Sequence, residues 1–213
     1  MAKLVSARLE KSSQVNIYAN EKSAPADRAT AGPFDIEEVT QVIPYVDFGS
    51  VRVPTREDLQ LRLEVEEGSQ RIVAVSMDYQ GSSLQLQAFA APRNEGIWHE
   101  IRAQMHESIK AQGGETEERV GSLGPELIAR IPLLDETGVK AGFRLARFVG
   151  IDGPRWFLRG VIGGAALNDA RAAADIDDLF RSIIVVRPDT PLPPKDLLPL
   201  VIPGGTIAPP RTV

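Results

Sequence analysis

The sequence predicts an α+β fold: one antiparallel sheet of about six or seven strands with two main helices packed on it. Three observations lead there. Apolar residues alternate with polar ones in several short runs that follow one another through tight turns. The period lengthens to that of a helix at only two places. Parallel strands need crossover helices between them, and two helices are too few to supply those.

The elements follow in order. Leu59, Leu61, Leu63 and Val65 alternate with polar residues and form a strand with one buried face. The GSQ turn leads into RIVAVSMDY, with Val73, Val75 and Met77 on one face, and QGSS leads into SLQLQAFA. These three strands make an antiparallel meander. Trp98, Ile101, Met105 and Ile109 then form one stripe of a helix, which Gly113-Gly114 stops. ELIARIPLL, FRLARFVGI and RWFLRGVIGG read as three further strands, with turns at DETG and DGP. Asn168 or Asp169 caps a last helix running through Arg181, with Ala172, Ile176, Leu179 and Ile183 inward. The stretch 183–187 either ends that helix or makes a short final strand. The order is β-β-β-α-β-β-β-α.

The chain of 213 residues, 43% of them apolar, supports one core. Residues 1–31 read as a polar, partly disordered N-terminal arm, in which Lys3 to Lys11 has weak helical character. Residues 32–187 read as the single folded domain. Residues 188–213 hold eight of the 16 prolines and read as an extended tail, since proline lacks the N–H that helices and central strands need. Leu197, Leu198, Leu200, Val201 and Ile202 are too apolar for a freely solvated tail, so they pack back on the domain or meet a partner.

Several functions are excluded or weakened by what the chain carries. With no cysteine there is no disulfide, thiolate metal site or cysteine nucleophile. His99-Glu100 and His106-Glu107 lack the second histidine of a zinc HExxH helix. Two histidines seven apart on a helix are separated by roughly 10 Å along its axis, too far to share one zinc ion. GSSL and GSLG are turns rather than nucleophile elbows, and no phosphate-binding glycine loop occurs. Asp175, Asp177 and Asp178, like the run Glu115, Glu117 and Glu118, read as solvated acidic faces. No catalytic residue, cofactor or metal ligand is expected. A net charge of −5 argues against nucleic acid, and no segment reads as a targeting peptide or a membrane span. The expected location is the cytoplasm.

The segment that stands out is RLARFVGIDGPRWFLR, residues 144–159. Asp152-Gly153-Pro154 closes a hairpin, with Asp152 a natural ion-pair partner and turn residue. Arg147, Arg155 and Arg159, with Trp156 beside them, are expected to gather as a binding surface for carboxylates, phosphates or a protein partner. The alternative is an ordinary sheet face with cross-strand pairs.

GPFDIEEV (32–39), DFGSVRVP (47–54), AFAAPRNEGIWHEIR (88–102) and above all RFVGIDGPRWFLRGVIGG (147–164) resemble the actinobacterial family called domain of unknown function 3710. The likeness runs from about Gly32 to about Pro194. It implies a cytosolic bacterial protein and carries over no catalytic residue, because the family has none established. At the level of fold the chain is also similar to the Mog1/PsbP-like α-β-α sandwich.

The expected function is a non-enzymatic protein-binding or adaptor domain, working through the arginine hairpin or the Pro-rich tail. The second reading is a small-molecule binder or enzyme that holds an anion in an arginine pocket, with His99 or His106 as acid or base, which requires a histidine beside the hairpin. A protein partner is expected, and an exposed edge strand leaves a homo-oligomer open.

Overall fold

The computed structural model describes residues 21–40, 43–135 and 137–204. The helical stretch expected within Lys3 to Lys11 lies outside them. In chain order the elements are α1 (Arg28–Ala31), β1 (Phe34–Asp35), β2 (Tyr45–Asp47), β3 (Val51–Pro54), β4 (Gln60–Val65), β5 (Ile72–Tyr79), β6 (Ser82–Ala90), α2 (Trp98–Ala111), β7 (Glu115–Gly121), β8 (Gly124–Leu134), β9 (Lys140–Asp152), β10 (Trp156–Gly164), α3 (Ala170–Arg181) and β11 (Ile184–Val185).

The fold is α+β. Seven strands form one antiparallel sheet in the order β4-β5-β6-β10-β9-β8-β7. The meander of three and the hairpin about Asp152–Pro154 are both present. Side chains alternate across the sheet, so β10 divides cleanly between two cores. Trp156, Leu158 and Ile162 join Val75, Leu84, Leu86, Val149 and Ile151 against Ile176, Leu179 and Phe180 of α3. Phe157 joins Leu127, Ala129, Ala146 and Phe148 against Trp98 and Ile109 of α2. The sheet therefore lies between α2 on one face and α3 on the other. Asp169 caps α3, its side chain accepting the Ala172 N–H at 2.8 Å.

Two features differ from the expected outline. A second sheet, ordered β1-β11-β3-β2, stands beside α3 and adds Val51, Val53 and Val185 to that core. Its strands are two to four residues long, too short for a period-two pattern to show in sequence. The acidic run Glu115, Glu117 and Glu118 is a strand, β7, at the edge of the large sheet. Most of β7 is exposed, so it lacks the apolar alternation that marks a half-buried strand, and its charges discourage edge-to-edge pairing.

The Pro-rich tail packs back as far as it is described. β5 leaves β6 beyond the Val75–Leu86 pair, so the N–H of Ala90 and the carbonyls of Ala88 and Ala90 need other partners. The tail supplies them: Ala90 N–H donates to Asp196 O at 2.8 Å, Lys195 N–H to Ala90 O at 2.7 Å and Leu198 N–H to Ala88 O at 2.8 Å. Val201 N–H then donates to Phe48 O at 3.0 Å, which joins the tail to the small sheet. Leu198 is fully buried, whereas Val201 and Ile202 stay exposed.

Candidate functional site

The five residues expected to share one surface are dispersed by the register of their own hairpin. Arg147 stands opposite Ile162 on the α3 face, whereas Arg159 stands opposite Gly150 and Gln87 on the α2 face. Arg155 is exposed in the turn. Paired residues share a face and successive residues alternate, so no side-chain rotation brings Arg147 and Arg159 together.

Asp152 and Trp156 hold the architecture together. Trp156 is completely buried and donates its Nε1–H to Asp35 Oδ2 at 2.8 Å. Asp152, also buried, meets no arginine. Its carboxylate accepts the Ser23 N–H at 2.9 Å and the Ile97 N–H at 3.0 Å, with a further backbone bond from Trp98. Ile97 and Trp98 open α2, which has no side-chain cap of its own, so a carboxylate from β9 does the capping and meets the helix dipole favourably. Lys22 Nζ donates to the carbonyls of Gly153 and Pro154 on the same turn. Residues 22 and 23, inside the expected arm, therefore already contact the folded body.

Burial raises the Asp152 carboxyl above the usual aspartate range, partly offset by the N–H groups of Ile97, Ser23 and Trp98 and by Lys22. A carboxyl raised in the folded state favours folding in acid, and that contribution is lost as pH rises through the folded value. Asp152→Asn leaves one backbone N–H without an acceptor and is expected to cost about 1–3 kcal/mol. That cost should be largest near the ordinary aspartate pKa of about 4 and shrink toward neutral pH. Urea unfolding of both proteins across that range checks it; a constant difference would show that the carboxyl does not titrate as described.

Arg147 lies at the floor of an open cleft of about 650 Å³ between α3 and the β7–β8 hairpin. Its Nε donates to Glu126 Oε2 at 2.7 Å, and its Nη1 and Nη2 grip Asp177 at 2.6 and 3.1 Å. Arg119 closes on the other Glu126 oxygen and Ser122 Oγ donates to Asp177. Two carboxylates are thus matched by two guanidinium groups, and the Asp177 partnership means that the expected solvated acidic face of α3 is partly turned inward. Arg119, Ser122 and Glu126 carried no sequence signal, because their meeting depends on the β7–β8 register. Each carboxylate oxygen of Glu126 and Asp177 and each nitrogen of the Arg147 guanidinium therefore has a partner within the network.

The histidines sit on the far side of α2. His99 Nδ1 is 3.5 Å from Arg102, which pairs with Glu118 of β7 at 2.9 Å, and His106 bonds Thr116 of β7. β7 lies three strands from β10, about 14 Å. His106 therefore stands well away from the hairpin arginines, and the arginine beside His99 is Arg102 of its own helix. Among the described residues no group of three or more His, Asp or Glu side chains is placed to hold a metal ion, and no helix is long and apolar enough to cross a membrane.

The remaining feature is a projecting arm. β7 accompanies β8 only as far as Arg130, and β10 accompanies β9 only as far as Arg147. Beyond those points Ile131–Leu134 and Lys140–Arg144 have only each other as strand partners among the described residues, and Leu145 and Ala146 pair with β8 alone. Pro132, Leu134, Phe143 and Leu145 fall on the α3 face of this arm, past the reach of α3. Leu134 is 62% exposed, Leu145 46% and Phe143 40%. Arg130 stacks over Phe143 at 4.0 Å from the ring centre, and Glu115 and Glu117 of β7 border the stripe on the same face.

Fold and surface together define an α+β domain with a projecting apolar arm. The family described as protein of unknown function (DUF3710) matches residues 32–208, and the chain belongs to that family. The match takes in the tail segment that pairs with β6. No curated protein and no solved structure matches the chain, so the likeness to the Mog1/PsbP-like sandwich gains no support from that side.

Proposed function

We propose that this is a non-enzymatic protein-binding domain that docks its partner on the α3 face of the β8–β9 arm. One observation carries the reading: Leu134, Phe143 and Leu145 form a contiguous apolar stripe that no other element among the described residues covers. A two-stranded ribbon with wet apolar residues is marginal by itself and gains stability when its face is covered. Edge pairing is an unlikely mode, because a bulge at Leu133/Leu134 interrupts the ladder and β7 is lined with glutamates. The partner fitted by this stripe is an apolar segment bordered by basic residues that face Glu115 and Glu117. The arginine hairpin and the described part of the Pro-rich tail, the surfaces first expected to bind, are largely taken up by the fold itself.

The test places a photo-crosslinking phenylalanine at Phe143 in the protein's native cells, with and without Leu134→Glu and Leu145→Glu. The reading expects one captured protein whose purified form binds the wild-type domain at least about tenfold more tightly than the double variant, equivalent to about 1.4 kcal/mol. Both forms should melt alike. No captured species, or one indifferent to the two glutamates, overturns it. A captured second copy of this chain would replace the heterologous partner with a dimer.

A further inference from the structure

Six arginines whose side chains are no more than 23% exposed each hold a carboxylate: Arg28, Arg52, Arg56, Arg102, Arg147 and Arg181. Arg159 is largely buried too and holds none. Its Nη2 donates to Gln87 Oε1, its guanidinium lies 5.5 Å from the Phe89 ring centre, and its Nε is sealed from solvent without any hydrogen-bond acceptor. Burial lowers its pKa, and no neighbouring carboxylate opposes that shift. The acidic side chains on this face include Asp152 on the neighbouring strand β9, whose carboxylate is taken by the N–H groups of Ser23, Ile97 and Trp98, and Asp78 and Glu64 on β5 and β4, two and three strands away, about 10–14 Å. Asp78 is held by Arg62, and Glu64 accepts from Ser76 and Gln85. The positive charge at Arg159 is therefore locally unmatched.

Its surroundings suit a small polar guest. α2 covers β7 to β9 and, through Trp98, Phe157 of β10; among the described residues no helix lies over the β6–β5–β4 part of this face. Next along the strands from the Arg159–Gln87 pair come Val161 and Gln85, which line a shallow cavity of about 240 Å³ with Ser76, Ser83, Arg62, Arg144 and Glu64, the last a carboxylate already held by Ser76 and Gln85. Gln87 is fixed by donating its amide to Val73 O at 3.1 Å, so it holds the guanidinium in place. Arginine's planar fork matches an oxyanion, and a buried guanidinium left without one forgoes charge-assisted hydrogen bonds.

We propose that Arg159, held by Gln87 over Phe89, is the anchor of a binding site for a small oxyanion on the open part of the α2 face. The site lies on the opposite side of the sheet from the apolar stripe of the arm and does not depend on it.

The experiment follows the arginine Nε–H signals of the full chain by NMR while inorganic phosphate is added at constant ionic strength, and separately succinate. A saturable shift of the Arg159 signal with one or both is expected; the two additions distinguish phosphate from carboxylate guests. Arg159→Met should abolish saturation while melting no lower than wild type. Gln87→Glu supplies an internal carboxylate, so it should raise the melting temperature and weaken phosphate binding at least about tenfold. A shift that never saturates, saturation that survives Arg159→Met, or phosphate binding untouched by Gln87→Glu each overturns the site.

Discussion

Arg147→Met is expected to lower the stability of the domain by about 3–5 kcal/mol, although methionine fills much of the same space. The reason is what it leaves behind. Asp177 loses both of its bonds to Arg147 and keeps only the Ser122 hydroxyl, while Glu126, 1% exposed, keeps only Arg119. A buried carboxylate stripped of its counter-charge is far more costly than an apolar residue in the same place. Arg147→Lys should fall between the two, since one ammonium cannot span Glu126 and both Asp177 oxygens. Replacing Arg147, Glu126 and Asp177 together with apolar residues of similar size should recover most of the loss. Urea unfolding midpoints of the four proteins decide it. An Arg147→Met variant within about 1 kcal/mol of wild type would show that the cleft hydrates these carboxylates well enough to stand in for the arginine.

Arg159→Met, three positions into the partner strand, is expected to behave in the opposite way, because it removes a charge that no carboxylate among the described residues pairs with. The contrast explains why the hairpin misleads when read from sequence. Guanidinium groups within a dozen residues of each other look like a cluster. Whether they share a face depends on which residue of β9 stands opposite which residue of β10. Turn chemistry at Asp152-Gly153-Pro154 locates the bend, but the pairing of Phe157 with Asp152 is what sets the register. Once it is set, Arg159 faces Gly150, and Gly150 lies an odd number of residues from Arg147, so parity puts the two on opposite sides.

The large sheet was legible because its strands are half buried. Leu61 and Leu63, or Leu84 and Leu86, write their burial directly into a period of two, and the stripe from Trp98 to Ile109 writes a helical one. β7 was not legible as a strand because both of its faces are largely wet. The small sheet was not legible because two residues such as Ile184 and Val185 carry no period at all. Asp152 was rightly placed at the turn, yet its service as a distant cap for α2 depends on residues 55 positions away in sequence. The exposed stripe on the arm was hidden for a related reason: the pattern of FRLARFVGI marks a strand, and where β7 and β10 stop, which leaves Phe143 and Leu145 exposed, is not written in it.

Gly150→Ala is expected to cost about 3 kcal/mol, at the upper end of what overpacking usually costs. A methyl group there would sit 2.4 Å from Trp98 Cδ2 and 2.8 Å from Phe157 Cε2, and neither ring can retreat. Trp98 is fully buried, stacks on Phe157 at 5.7 Å and is tethered by its Nε1–H to Pro125 O at 2.7 Å. The same relation recurs along the stretch that most resembles the family: a Cβ at Gly153 would meet the Trp156 ring at 2.2 Å, and one at Gly160 would meet Phe180 at 2.8 Å. Glycines in the run VGIDGPRWFLRG are thus seats for aromatic rings, and these glycines of the stretch act in packing. A double-mutant cycle tests this. Trp98→Leu alone should cost about 3–5 kcal/mol through lost burial. With the ring gone the added methyl meets little, so the double variant should be more stable than the two single losses predict by about 2 kcal/mol. Additivity within about 0.5 kcal/mol would mean that something other than the Trp98 ring requires glycine at position 150.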